Sequence, residues 1–237
     1  MVSVCIATYN GDLFIQKQLK SIIKQLNKED EIIISDDGST DRTIELITAF
    51  NDDRIKIFEN KNSQGPIGNF ENALRKASGD IIFLADQDDE WMADKINKHL
   101  LHHQSADLVI SNAIVKDERN NIIFESFFLE RNSKPGFWNN VLRNSYIGCC
   151  MSFNKKILEQ ALPFPKGIHM HDWWIGLVAE LTGKTFFFDE PLIYYVRHDN
   201  NASGTLIKSL PFKLQLKNRI RLLTASVQLI LNNAKKS

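Results

Sequence analysis

Cysteine is scarce in this 237-residue chain, which has only Cys5 and the adjacent pair Cys149 and Cys150. An odd count without framework spacing excludes a disulfide scaffold and fits a reducing compartment. No CxxC pair occurs, which removes the zinc sites built on that spacing. A charge excess is missing too. Lys and Arg number 29 and Asp and Glu number 29, so no overall field points to nucleic acid. No uncharged apolar run is long enough to span a bilayer. The first residues, MVSVCIAT, lack the basic segment ahead of an apolar run that a signal peptide requires. The expected location is therefore the cytoplasm. Internal repeats and low-complexity linkers are absent as well.

Short apolar segments alternating with helical patterns are what the chain does have, and its 43% hydrophobic content allows a sizeable core. Residues 2–8 read as a strand and Tyr9-Asn10-Gly11-Asp12 as the turn after it. Leu13, Ile15, Leu19, Ile22 and Leu26 then recur at helical spacing. A second strand at 31–35 runs into Asp36-Asp37-Gly38-Ser39-Thr40-Asp41, followed by a helix through Phe50. Residues 54–58 alternate and so read as a strand near a sheet edge, 60–68 as a loop, and 70–77 as a short helix. Residues 81–85, apolar throughout, read as a strand buried on both faces. Strands alternating with helices in this way predict an α/β fold with a parallel, doubly wound sheet.

The second half predicts a mixed arrangement. Helices are expected at 93–103, 157–162 and 172–181, and strands at 107–115, 122–124, 146–153, 185–188 and 192–196. From residue 209 a basic amphipathic helix runs to the end. The whole is expected to be one domain, with a nucleotide-binding half over 1–105, an acceptor-side catalytic half over 106–207 and the terminal helix over 208–237.

The chemistry gathers at two strand ends. Asp86, Asp88, Asp89 and Glu90 fall within five positions after the fourth strand. Carboxylates that close repel one another, and a cation relieves them. Oxygen ligands suit magnesium or manganese, and ligands in open α/β sheets collect outside the carboxyl ends of the strands. A solvated turn capping the next helix is the alternative. For Asp37-Gly38-Ser39 the alternative is a turn with Ser39, Thr40 or Asp41 as helix cap, which leaves Asp37 free to be a ligand group as well.

Five segments in order, VSVCIATYNG (2–11), EIIISDDGSTD (31–41), GDIIFLADQDDEW (79–91), MHDWW (170–174) and YYVRHDNNASG (194–204), make the chain resemble a bacterial family 2 glycosyltransferase of the GT-A fold. The likeness runs nearly end to end, and the HDWW and RHxxN-type endings resemble a rhamnosyltransferase-like subgroup, which makes thymidine-diphosphate rhamnose one candidate donor beside galactose, glucose and N-acetylated sugars. The resemblance implies a Rossmann-like, mostly parallel sheet with a mixed acceptor-side half, and inverting transfer from a nucleotide-diphosphate sugar to a glycan or lipid-linked glycan acceptor. It also implies a divalent metal, manganese or magnesium, and a place in cell-envelope polysaccharide assembly.

Carried over residue by residue, the resemblance places Thr8, Tyr9 and Asn10 along the base. Asp37 accepts from a pyrimidine N3–H, with Asp36 as support, which favours uridine or thymidine nucleotides. Asp86 faces the ribose and Asp88 the metal, with Gln87 between them and no role for Asp89. Asp172 stands where the family has its catalytic base, and inversion needs one, because the attacking hydroxyl must lose its proton as the bond forms. Met170, Trp173 and Trp174 around it predict a desolvated carboxylate of raised pKa, with Trp173 and Trp174 also on the acceptor side. The alternative for Asp172 is a plain helix cap, with His169 and His171 at the surface. Arg197 supplies a fixed cation for the leaving diphosphate, and His198 a further metal ligand or diphosphate contact.

His99 and His103, four apart on one helix, are expected to face solvent, and the Cys149–Cys150 pair to be buried packing. The terminal helix has two readings: its apolar stripe packs on the body or on a second subunit, or it meets the inner face of the cell membrane through Lys208, Lys213, Lys217, Arg219 and Arg221. Two other enzyme classes fit poorly. A sugar nucleotidyltransferase needs a glycine-rich basic loop where this chain has Tyr9-Asn10-Gly11-Asp12, and an Asp-nucleophile phosphatase needs an acid where it has Ser35. A non-catalytic nucleotide-sugar or glycan binder would not need Asp86, Asp88 and Asp172 together.

Overall fold

The computed structural model describes residues 1–61, 63–198 and 211–235. Four parallel strands, β1 (Val2–Thr8), β2 (Glu31–Asp36), β3 (Ile55–Glu59) and β4 (Ile81–Asp86), lie in the order β3-β2-β1-β4. Helices α1 (Ile15–Ile23), α2 (Thr43–Thr48) and α3 (Pro66–Leu74) connect them. β1 and β2 are covered on both faces, which is why they read as unbroken apolar runs. β3 alternates and forms the edge, as its pattern predicts. The helix expected from residue 70 starts earlier, at Pro66. Gly65 adopts φ +94 at the N-cap, and Pro66 takes the first turn, where its missing N–H costs nothing.

The sheet continues into the second half of the chain through β8 (Met151–Asn154), antiparallel to β4. Next come β6 (Leu108–Asp117), antiparallel to β8, and β9 (Thr185–Arg197), parallel to β6. A short strand, β5 (Glu90–Trp91), closes the row on β9, and β7 (Ile122–Phe124) pairs with β6 from the side. One nine-stranded sheet thus carries both halves. The remaining helices are α4 (Lys95–His102), α5 (Phe127–Arg131), α6 (Phe137–Leu142), α7 (Lys155–Ala161), α8 (His171–Thr182) and α9 (Phe212–Ala234).

Several expectations are corrected here. The strand expected over 146–153 is a strand only from Met151, because Gly148–Cys150 coils into a 3-10 turn that shapes the site. The two strands expected at 185–188 and 192–196 are one, with a register irregularity before Pro191. Asn112 fills the gap, its Nδ2 donating to Asp189 Oδ1 at 2.8 Å and to Ser126 Oγ at 2.7 Å. β5, α5 and α6 have no apolar pattern long enough to announce them. His99 and His103 do not face solvent, because α4 lies over β8. The Ser152 hydroxyl sits 2.7 Å from His99 Nδ1 and 2.7 Å from His103 Nε2. Burial holds both imidazoles below their ordinary range. All three cysteines are free and buried. The terminal helix packs on the body with Asn218, Leu222 and Ser226, and with Leu223 and Leu229 half-buried beside them, so only part of the apolar stripe expected to pack there does so and the rest points outward.

Candidate active site

The loops after β1, β2 and β4 meet at the carboxyl end of the parallel strands, and their polar groups lock one another in place. Asp36, almost fully buried, accepts from the Thr8 and Ser39 hydroxyls on one oxygen and from the Gly38 and Ser39 N–H groups on the other. Thr8 is 1% exposed and its hydroxyl is spent on Asp36 and on the Ser35 carbonyl. The Thr8 side chain therefore supports the loop, which leaves only its backbone for the expected contact with a base. Asn10, at φ +46, receives the Thr40 N–H on Oδ1 at 2.9 Å, while its own N–H donates to Ser39 Oγ. Tyr9 stands 56% exposed above this base, its ring open to a ligand.

Gln87, the residue between the two aspartates of the acidic loop, has a structural task that the sequence did not reveal. Its Oε1 accepts from the Tyr9 N–H at 3.0 Å and its Nε2 donates to the Tyr9 carbonyl at 3.1 Å. A Cβ on Gly11 would lie 2.3 Å from that Oε1, so the amide fits only over a glycine. Asp37 bridges in the other direction. One oxygen accepts from Asn60 Nδ2 at 2.6 Å and the other from the Gly65 N–H at 2.7 Å, which joins the β2 loop to the start of α3. Asn69, on that helix, donates to the Thr8 carbonyl.

Beyond Gln87 the carboxylates close in. Asp88 Oδ2 lies 2.7 Å from His198 Nε2, and this contact raises the His198 pKa. The two residues expected to hold a metal are thus brought together, with His198 stacked on Phe14 at 4.7 Å. Asp89 is turned inward. Its Oδ1 accepts from the Val196 N–H at 3.1 Å, whereas Oδ2 is buried with no hydrogen-bond partner among the described residues. Burial first, then the charge of Asp88, pushes the Asp86 and Asp89 carboxyls up. Ligand atoms of Asp86, Asp89 and Cys149 lie within 4.8 Å of one another. Such crowding, with one buried oxygen unsatisfied, is what a divalent cation relieves, and the carboxylate oxygens suit manganese or magnesium; the thiol is the poorer match, and Asp88 and His198 lie outside this group. The carboxylates of the acidic loop therefore fit the implied ion.

Asp172 enters from the opposite side, in the first turn of α8. Its Oδ2 accepts from the Gly148 N–H at 3.1 Å and its Oδ1 from the Trp173 N–H at 2.6 Å. Burial nevertheless prevails and raises its pKa to about 6. Its charge also helps to raise Asp86, so the two carboxyls lie close enough to repel each other. His171 is not at the surface: it stacks on Phe70 at 4.2 Å, and burial pushes its pKa down to about 3. Trp173 and Trp174 are corrected as acceptor contacts. Their indole N–H groups donate to the Asn140 and Ala161 carbonyls, and both rings lie in the core, where they dry the helix start. Arg197 ends β9 next to His198, and with Asp117, Glu118 and Arg119 the pair lines a cavity of about 210 Å³. The Arg197 Nη1 has no hydrogen-bond partner among the described residues.

This fold and site define a class, the GT-A glycosyltransferases, which the solved structures bear out at the level of the fold. S. aureus TarS 1-349 in complex with UDP matches 95% of this chain and 65% of its own at TM-score 0.71 and 20% identity. The mannosyltransferase PcManGT from Pyrobaculum calidifontis, solved with GDP-Man and Mn2+, matches 100% and 75% at TM-score 0.65 and 18% identity. The glycosyl transferase family 2 profile matches residues 3–162, and the chain belongs to that family. Among curated relatives it is 31% identical over 231 residues to the dTDP-rhamnosyl transferase RfbG of Shigella flexneri, covering 89% of this chain and 76% of that protein. It is 28% identical over 177 residues to the UDP-Glc:alpha-D-GlcNAc-diphosphoundecaprenol beta-1,3-glucosyltransferase WfgD of Escherichia coli, covering 75% and 68%. The chain spans about two thirds of the matched TarS chain.

Proposed function

We propose that this enzyme transfers a sugar, with inversion, from a UDP- or dTDP-linked donor to a hydroxyl of a growing surface glycan. The observation that carries the reading is the Gly148–Cys149 turn. Its Gly148 N–H holds Asp172, and the next residue's thiol lies within 4.8 Å of the Asp86 and Asp89 carboxylates, so proton acceptor and acidic loop share one wall. Tyr9 and Asn10 flank the base, Asp37 accepts from a pyrimidine N–H, and Asp86 takes the ribose hydroxyls. Asp88 and His198 would hold the divalent ion, whose chemistry is to neutralise the diphosphate. Arg197 adds a fixed cation for the same charge.

Asp172 takes the proton of the attacking hydroxyl. With a pKa raised to about 6 it is ionised at neutral pH yet a stronger base than an exposed aspartate, the compromise that general-base transfer favours. The names of RfbG and WfgD support the pyrimidine donors, and that of WfgD supports an acceptor carried on a lipid diphosphate. The test is transfer from UDP- and dTDP-sugars to undecaprenyl-diphosphate glycans, with Asp172→Asn alongside. The variant is expected to lose about 10²–10⁴-fold in kcat while still binding nucleotide. An unchanged rate would remove Asp172 as the base.

A further inference from the structure

α9 shows its apolar side to solvent. Phe212, Leu216, Ile220, Val227, Ile230 and Leu231 follow one another at spacings of four, four, seven, three and one residues, which at 100° per residue puts them on one face. Phe212 is 73% exposed and Leu231 57%. The buried positions Asn218 and Leu222 each lie two residues beyond a stripe residue, hence about 200° round the helix, and they make the contact with the body. A second exposed apolar pair borders the stripe. Arg219 Nη2 donates to the Leu142 carbonyl at 2.7 Å, which sets the end of α6 beside α9, and α6 exposes Trp138 and Leu142 by 69% and 66%.

Charge decides what suits this surface. The protein as a whole is neutral, but no Asp or Glu follows Asp199, while Lys213, Lys217, Arg219, Arg221 and Lys235 lie along α9. Residues 131–158, which include α6, also hold no acidic residue and contribute Arg131, Lys134 and Arg143. Two copies of α9 pressed together would set cations against cations with no carboxylate to pair them. An apolar stripe flanked by lysines, with an indole at its border, instead matches an interface of acyl chains and anionic headgroups. Among the described residues no helix is long and apolar enough to cross a membrane, so the contact is lateral.

We infer that the outer faces of α9 and α6 form a docking surface for an anionic lipid bilayer, on which the helix lies flat with its stripe in the headgroup boundary. The inference stands apart from the donor, metal and base assignments, and its test uses none of them. The full chain is spun with vesicles of phosphatidylcholine alone or with phosphatidylglycerol added, without nucleotide or metal. Binding is expected only with the anionic lipid and should weaken with salt. Lys213→Gln with Lys217→Gln should lower the affinity about 30-fold. Ile220→Glu with Ile230→Glu should abolish it; both positions are exposed, so the melting temperature should stay within about 2 °C of wild type. Failure to bind anionic vesicles would overturn the inference, as would binding that the stripe variant leaves unchanged. A concentration-dependent dimer that the stripe variant abolishes, without vesicle binding, would assign the surface to a second copy instead.

Discussion

Asp172 accepts two backbone N–H groups, and burial still lifts its pKa to about 6. The rate of transfer should therefore fall tenfold per pH unit as pH drops below about 6, and lie flat from there toward neutrality. A pH–rate profile of kcat that stays level down to pH 5 would contradict this. The same shift predicts a stability effect of definite sign. A carboxyl whose folded pKa exceeds the ordinary 3.8 holds its proton more tightly in the folded chain. That contribution is complete below 3.8 and is lost as pH rises through about 6, so at pH 7.5 the ionised group costs stability. Asp172→Asn should raise the unfolding free energy at pH 7.5 by on the order of 1–3 kcal/mol and change little at pH 4, as denaturant titrations at the two pH values would show. The burial of Asp172 was legible from its apolar neighbours in sequence. The anchoring of the Trp173 and Trp174 indoles on the Asn140 and Ala161 carbonyls was not, because a motif gives neighbours in sequence and not the direction of a ring.

The loops act as a linked set. Gln87 clamps the Tyr9 backbone by two hydrogen bonds, and Gly11 leaves it room. Gln87→Ala removes both bonds, each worth about 0.5–1.5 kcal/mol. Donor affinity by calorimetry should fall by about 5- to 150-fold while kcat at saturation is nearly retained. Gly11→Ala should be damaging alone and much less so in the Gln87→Ala background, a non-additivity that only direct contact produces. Equal effects in the two backgrounds would rule out the clamp. Alternating and unbroken apolar runs made the four parallel strands legible, β3 as an edge included. The turn at Gly148–Cys150 was hidden, since an apolar run next to a strand carries no period of its own. His99 and His103 were hidden for a different reason: a polar side chain with a buried partner such as Ser152 has the same letter as an exposed one.

At the scale of the molecule, one sheet carries the loops after β1, β2 and β4 and, through β8, β6 and β9, the second half of the chain, from which Asp172 on α8 and His198 after β9 come to them. Motif order announced this assembly because each motif sits at a strand or helix end, where backbone direction fixes the side chain. α9 lies outside that logic. Its sequence shows an apolar stripe and basic residues, but not that Asn218, Leu222 and Ser226 are the positions that meet the body.

Asp88 and His198 are proposed to complete a pyrimidine-nucleotide site by holding its metal. The most direct test of this is thermal unfolding of wild type and Asp88→Asn with UDP, dTDP, GDP or ADP, each with manganese and with chelator. A pyrimidine nucleotide at a hundred times its Kd should add about 2.7 kcal/mol, or roughly 5–10 °C in wild type, and the shift should vanish with chelator and in Asp88→Asn. A shift that survives both would contradict the metal assignment, and no shift with any of the four nucleotides would contradict the site itself.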